Sequence, residues 1–86
     1  MLAEDNELNR EIARCLLEDA GMTVTAVSDG VMAYNSYTSS QAGTFDAILM
    51  DIMLPNLDGY GATMLIRRSG RDDAQTIPII AMTANA

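Results

Sequence analysis

The sequence predicts an α/β fold, a parallel sheet wound with helices on both faces, from three features of its 86 residues. Apolar and amphipathic stretches alternate along the whole chain in the order strand, helix, strand, helix, strand, helix, strand. The connections are short, and such alternation implies parallel strands joined by right-handed helical crossovers. The run Ile48-Leu49-Met50 carries no polar alternation, which is the pattern of a strand covered on both faces. No internal repeat, low-complexity tract or linker interrupts the order, so residues 1–86 are expected to form one domain.

Met1 to Ala3 read as the last residues of a first strand, with Glu4-Asp5-Asn6 at its end. Adjacent acids fit a helix start, where the macrodipole favours negative charge. From Glu7 to Ala20 the residues Leu8, Ile12, Cys15, Leu16 and Ala20 recur at three and four residue spacing, which predicts a helix started by Asn6, stopped by Gly21 and buried along that stripe. Met22 to Val27, rich in Thr and Val and closed by Ser28-Asp29-Gly30, predicts a second strand. Val31 to Ala42 predicts a weaker helix that frays near Gly43, because Ser36-Tyr37-Thr38-Ser39-Ser40 has poor helix propensity. The third strand runs into Asp51, bounded by Phe45-Asp46 before it and Pro55 after it. A helix from about Tyr60 to Ser69 is stopped by Gly70. Ile77 to Met82 predicts a fourth strand with Pro78 tolerated near its start and Thr83 at its end.

Composition removes several functions. A net charge of −7 with no histidine argues against a nucleic-acid surface, which needs a basic stripe. One cysteine forms no internal disulfide, and Cys15 is expected to be a small core residue. Without His or a cysteine cluster there is no zinc site. No apolar run approaches the roughly 18 residues of a membrane helix, and the first residues turn acidic where a signal peptide would be basic, so the expected location is cytoplasmic.

In a parallel sheet all strand carboxyl ends lie on one edge, the edge where ligands bind in open α/β folds. Glu4, Asp5, Asp51 and Thr83 are therefore carried to the same side. Clustered carboxylates repel and raise the pKa of at least one member unless a cation neutralises them. A hard divalent ion such as Mg²⁺, held by carboxylates, waters and a substrate phosphate, suits such a cluster and is the usual arrangement for phosphoryl transfer. A Thr83 hydroxyl beside it could donate to a phosphoryl oxygen.

Glu4-Asp5-Asn6, Asp51-Ile52-Met53-Leu54-Pro55-Asn56-Leu57-Asp58-Gly59 and Met82-Thr83-Ala84-Asn85-Ala86, each after a strand, together resemble the receiver domain of two-component response regulators and hybrid sensor kinases. The resemblance covers the whole chain. It implies a flavodoxin-like (CheY-like) doubly wound sheet with strand order 2-1-3-4-5. It implies that Asp51 takes a phosphoryl group from the phosphohistidine of a histidine kinase or phosphotransfer domain. Glu4 and Asp5 match the acidic pair that holds Mg²⁺ with Asp51, and the main-chain carbonyl of Met53 matches the remaining protein ligand. Thr83 matches the hydroxyl that moves to the phosphoryl group, Ala84 the small residue beside it, and Asn6 and Met53 positions that tune phosphoryl lifetime. The module so implied is a phosphoacceptor and not itself an enzyme.

Other readings are weaker. An Mg²⁺-dependent phosphatase with an Asp nucleophile wants a second acid two residues on, where Met53 stands. A flavin-binding protein of the same topology wants a phosphate-cradling loop after the first strand, and this loop is acidic. A phosphorylation-incompetent fragment acting only by interaction is the stronger alternative. The family's fifth strand ends in a lysine, whereas all five basic residues here are arginines. On the resemblance the chain corresponds to the first two thirds of a receiver, lacking the fifth strand and last helices. Its fourth strand edge and one sheet face would then be uncovered, which predicts a homodimer or higher oligomer.

Overall fold

The computed structural model describes residues 1–82. Four strands, β1 (Leu2–Ala3), β2 (Ala26–Val27), β3 (Ile48–Asp51) and β4 (Ile79–Met82), alternate with α1 (Glu7–Asp19), α2 (Gly30–Ser39) and α3 (Gly59–Arg67). The strands form one parallel sheet in the order β2-β1-β3-β4. The step from β1 to β2 crosses the sheet one way and the steps to β3 and β4 the other. Right-handed crossovers then put α1 on one face and α2 and α3 on the opposite face. The reversal falls between β1 and β3, and such a switch point opens a crevice at the strand carboxyl ends.

Three short polar side chains set where the helices begin. Asn6, Asp29 and Asp58 accept from the main-chain N–H groups of Asn9 (2.9 Å), Met32 (2.7 Å) and Gly61 (2.7 Å), satisfying donors that the first turn of a helix leaves free. The core lies between the sheet and the α2–α3 pair. Tyr37, Leu2, Ile48, Met50 and Ile66 are its largest fully buried side chains. Leu54 and Ile77 close the core from the loops before α3 and before β4.

Several boundaries differ from the sequence expectation for identifiable reasons. Only the last two residues of the Met22–Val27 segment are strand, because β1 offers only Leu2 and Ala3 to pair with them. α2 begins at Gly30 and ends at Ser39, three residues short of Ala42, where the Ser and Thr content gives out as helix. β4 begins after Pro78, whose ring nitrogen has no proton to give a ladder, although its carbonyl accepts from the Ile48 N–H at 2.9 Å.

The larger correction concerns α1. Its predicted buried stripe is in the open, with Leu8, Ile12 and Leu16 at 68%, 52% and 66% exposure, and Cys15 is exposed instead of being a core residue. The half-buried positions are Arg10, Ala13, Arg14 and Leu17, a second set at helical spacing. Apolar periodicity identifies which arc of a helix prefers to be covered, but the arc that meets the sheet here is the neighbouring one. Among the described residues no helix is long and apolar enough to cross a membrane.

Candidate functional site

Register brings the acids together. Ala3 pairs with Met50, so the next residues of those strands, Glu4 and Asp51, leave the sheet side by side at the switch point. Carboxylate oxygens of Glu4, Asp5 and Asp51 all lie within 4.8 Å of one another. Glu4 and Asp51 are 8% and 5% exposed, which is unusual for carboxylates, while Asp5 faces solvent. Donors on the backbone hold the buried pair. The Met53 N–H donates to Asp51 Oδ1 at 3.0 Å, and the Asn6 N–H donates to Glu4 Oε1 at 3.1 Å.

The ground beneath Asp51 is equally constrained. The Gly59 N–H donates to the Ile52 carbonyl at 2.9 Å, so the start of α3 is drawn under the end of β3. A Cβ on Gly59 would overlap the Asp51 carbonyl, hence the need for glycine at this close approach. On the other side of the cluster, Arg10 Nη1 donates to the Glu4 carbonyl at 3.0 Å and reaches that of Asp5 at 3.4 Å, tying α1 to the acidic turn.

Burial pushes the Glu4 carboxyl above its ordinary range, and a hydrogen bond with Asp51 and the charges of Asp51 and Asp5 push it the same way, against the opposing Asn6 N–H. The rise expected somewhere in the cluster thus falls on Glu4, with desolvation ahead of repulsion. The donor set is all oxygen, which fits a hard divalent ion such as Mg²⁺ and not zinc or copper.

Other predicted positions divide. Met53 presents its backbone to Asp51 while its side chain is 72% exposed. Asn6 serves twice, through its side chain as the α1 cap and through its N–H on Glu4. Thr83 and Ala84 lie outside the described residues, though Met82 pairs with Asp51 at the end of β4. Sequence reasoning missed Arg10, counted only as a polar-face residue; its place five residues after Asp5, just over one helical turn in, was the available signal. It also missed Asn56, whose φ of 67° is left-handed, a conformation Asn tolerates better than most residues. An apolar groove of about 410 Å³ between α3 and β4, lined by Met50, Ile52, Tyr60, Met64, Ile79 and Ala81, is separate from the acidic cluster.

The same arrangement belongs to known proteins. The family model for the response regulator receiver domain matches residues 1–86. Hybrid signal transduction histidine kinase I of Dictyostelium discoideum is 40% identical over 88 residues, covering 100% of this chain and 5% of that protein. Transcription factor prr1 of Schizosaccharomyces pombe is 41% identical over 85 residues, covering 99% of this chain and 14% of that protein. The chain thus spans a small part of such relatives. Among solved structures, the receiver domain of sensor histidine kinase PA1611 from Pseudomonas aeruginosa, with a magnesium ion coordinated in its active-site cleft, superposes with a TM-score of 0.87 at 45% identity over 99% of this chain and 66% of that one. Sheet order, acidic crevice and sequence agree, and the chain belongs to the response regulator receiver domain family.

Proposed function

We propose that the chain is the phosphoacceptor module of a two-component phosphorelay, with Asp51 taking the phosphoryl group from a phosphohistidine on a histidine kinase or phosphotransfer domain. The observation that carries this reading is the approach of three carboxylates to within 4.8 Å at the switch point of the sheet. Glu4, Asp5, Asp51 and the Met53 carbonyl would hold Mg²⁺, and the ion when bound supplies charge neutralisation for the incoming phosphoryl oxygens.

The chain's own groups do the rest. Asp51 Oδ1 is oriented by the Met53 N–H, so the carboxylate is fixed before the donor arrives. Burial and the neighbouring carboxylates make a charged Glu4 costly in the folded chain, and a bound cation would offset that cost. Thr83 would contact the phosphoryl group once formed, with Ala84 leaving space beside it, and Asn6 and Met53 would tune its lifetime. In this reading the chain is a regulatory module and not an enzyme, works in the cytoplasm, binds neither nucleic acid nor membrane at a charge of −7, and pairs with a second copy of itself.

A second reading rests on the acidic cluster having no lysine beside it among the described residues. In it the chain is a phosphorylation-incompetent interaction module. Incubation with Mg²⁺ and acetyl phosphate, followed by intact-mass spectrometry, separates the two. A phosphoryl adduct on the wild type that disappears in Asp51→Asn supports the first; an unchanged wild-type mass favours the second.

A further inference from the structure

The loop between β3 and α3 carries Met53, and its two ends are held close to the sheet: the Met53 N–H reaches back to Asp51, and the Gly59 N–H reaches the Ile52 carbonyl. Its middle is held from elsewhere in the chain. Asp29 Oδ1 accepts from the Met32 N–H and so caps α2, and the second oxygen, Asp29 Oδ2, accepts from Asn56 Nδ2 at 3.0 Å across 27 residues of sequence. Asn56 holds a φ of 67° to make that reach. Next to this bond, Gly30 lies so close to the Leu57 carbonyl that a Cβ would overlap it. The first turn of α2 and the apex of the Asp51 loop are therefore in direct main-chain contact, with one side-chain hydrogen bond between them.

The bond is exposed to solvent, with Asn56 exposed and Asp29 half-buried, but each partner is also fixed by the backbone around it. Asp29 uses both carboxylate oxygens at once, one on its own helix and one on the loop, so its position is dictated by α2 and not by the loop it holds. A left-handed non-glycine residue persists where surrounding contacts determine it. We infer that Asn56 and Asp29 act as positioning residues, a tether that sets the height of the Asp51 loop and with it the Met53 N–H and carbonyl. The functional weight of the inference rests on the phosphoacceptor reading above. Its structural content does not, because the Met53 N–H to Asp51 bond joins two groups of the chain itself. Groups that orient the donors of a metal or phosphoryl site change affinity or activity by about tenfold or more when lost.

The test separates the tether from the backbone conformation it accompanies. Asn56→Gly keeps the left-handed φ at no steric cost and removes only the side chain. Asn56→Asp sets a second carboxylate against Asp29. The exchanged pair, Asp29→Asn with Asn56→Asp, restores one hydrogen bond with donor and acceptor reversed, and Asn remains a good helix cap. Two quantities are measured on the 86-residue chain: hydrogen exchange of the Met53 amide without metal, and Mg²⁺ affinity by calorimetry. Asn56→Gly is expected to lose Met53 protection and weaken Mg²⁺ binding by about tenfold, Asn56→Asp by more, and the exchanged pair to recover most of both. Wild-type values of both quantities in Asn56→Gly overturn the inference, as does an exchanged pair no better than Asn56→Asp. Loss and recovery of Met53 protection in a protein that never binds Mg²⁺ keeps the tether and sinks the phosphoacceptor reading instead.

Discussion

Glu4 is the residue on which charge, burial and cation affinity meet, and its behaviour with pH can be worked out in sign. A carboxyl whose pKa is raised in the folded chain holds its proton after the unfolded chain, near its ordinary 4.5, has released it. Between those two values the folded state binds more protons, so stability falls as pH rises through that window. The metal-free protein is therefore less stable at pH 7 than at the acid end of the window as far as Glu4 decides, and Mg²⁺ reverses the loss. Thermal unfolding should show an Mg²⁺-dependent rise in Tm that is large at pH 7 and shrinks as pH falls through the window in which Glu4 takes up a proton. Glu4→Gln should raise the metal-free Tm at pH 7 and abolish the Mg²⁺ response. A full Mg²⁺ response in that variant would place the cation elsewhere. Tyr37 gives a second, independent titration. Burial, then the carboxylate of Asp73 that accepts its hydroxyl proton, push Tyr37 up to about 12, with Arg71, 5.3 Å over the ring, pulling the other way. Because the unfolded phenol ionises near 10, this contribution to stability is intact below pH 10 and is lost between 10 and 12. Stability should therefore begin to fall as pH rises past about 10 and go on falling toward 12, and Tyr37→Phe should remove that slope.

Among the elements, legibility followed how local the cause was. The cap at Asn6 acts within three residues of itself, and α1 was placed from it, whereas the equally local cap at Asp58 went unread and α3 was placed from about Tyr60. The Ile48–Asp51 run was visible as a two-face buried strand for the same reason, since its pattern lies in its own residues. Strand β2 was overestimated because a strand's length depends on its partner, and β1 offers two residues. The face of α1 was misjudged because its apolar stripe is real but what meets it is decided by the sheet. The site divides the same way. Glu4, Asp5 and Asp51 could be read as converging once a parallel sheet was inferred, whereas the Asn56 and Asp29 contact spans 27 residues and left no periodic trace. The junction of β3 and α3 offers a test at this scale. Gly59 has no room for a Cβ against the Asp51 carbonyl, and that obstacle is backbone, so relief requires the strand end or the helix start to move. Gly59→Ala should cost about 3 kcal/mol in urea unfolding, a large loss for adding one methyl group to a helix. A neutral or stabilising effect, as Gly→Ala gives at an open helical position, would show that α3 is not pressed against the end of β3.

For the whole molecule the balance is between uncovered apolar surface and net charge. Among the described residues β4 has a strand neighbour on one side only, with Ile80 51% exposed, and the α1 stripe of Leu8, Ile12 and Leu16 adds a second apolar strip on the other layer. A strand with a free edge presents unpaired main-chain donors and acceptors to any similar edge. The partner best matched to it is β4 of a second copy, because two such edges satisfy each other symmetrically. Opposing this, each copy carries −7, and like charges resist close approach over a screening length of about 10 Å at 0.1 M salt. The sign of the salt effect therefore identifies the driving force. Light scattering behind size exclusion should show a dimer whose fraction grows with protein concentration and also with sodium chloride, opposite to an association held by ion pairs. Ile80→Lys adds a charge to the edge, a device natural sheets use to stay apart, and should return the chain to monomer while leaving the Mg²⁺-induced rise in Tm intact, because Ile80 lies outside the acidic cluster. A monomer at every salt and protein concentration would mean that charge alone outweighs the open edge.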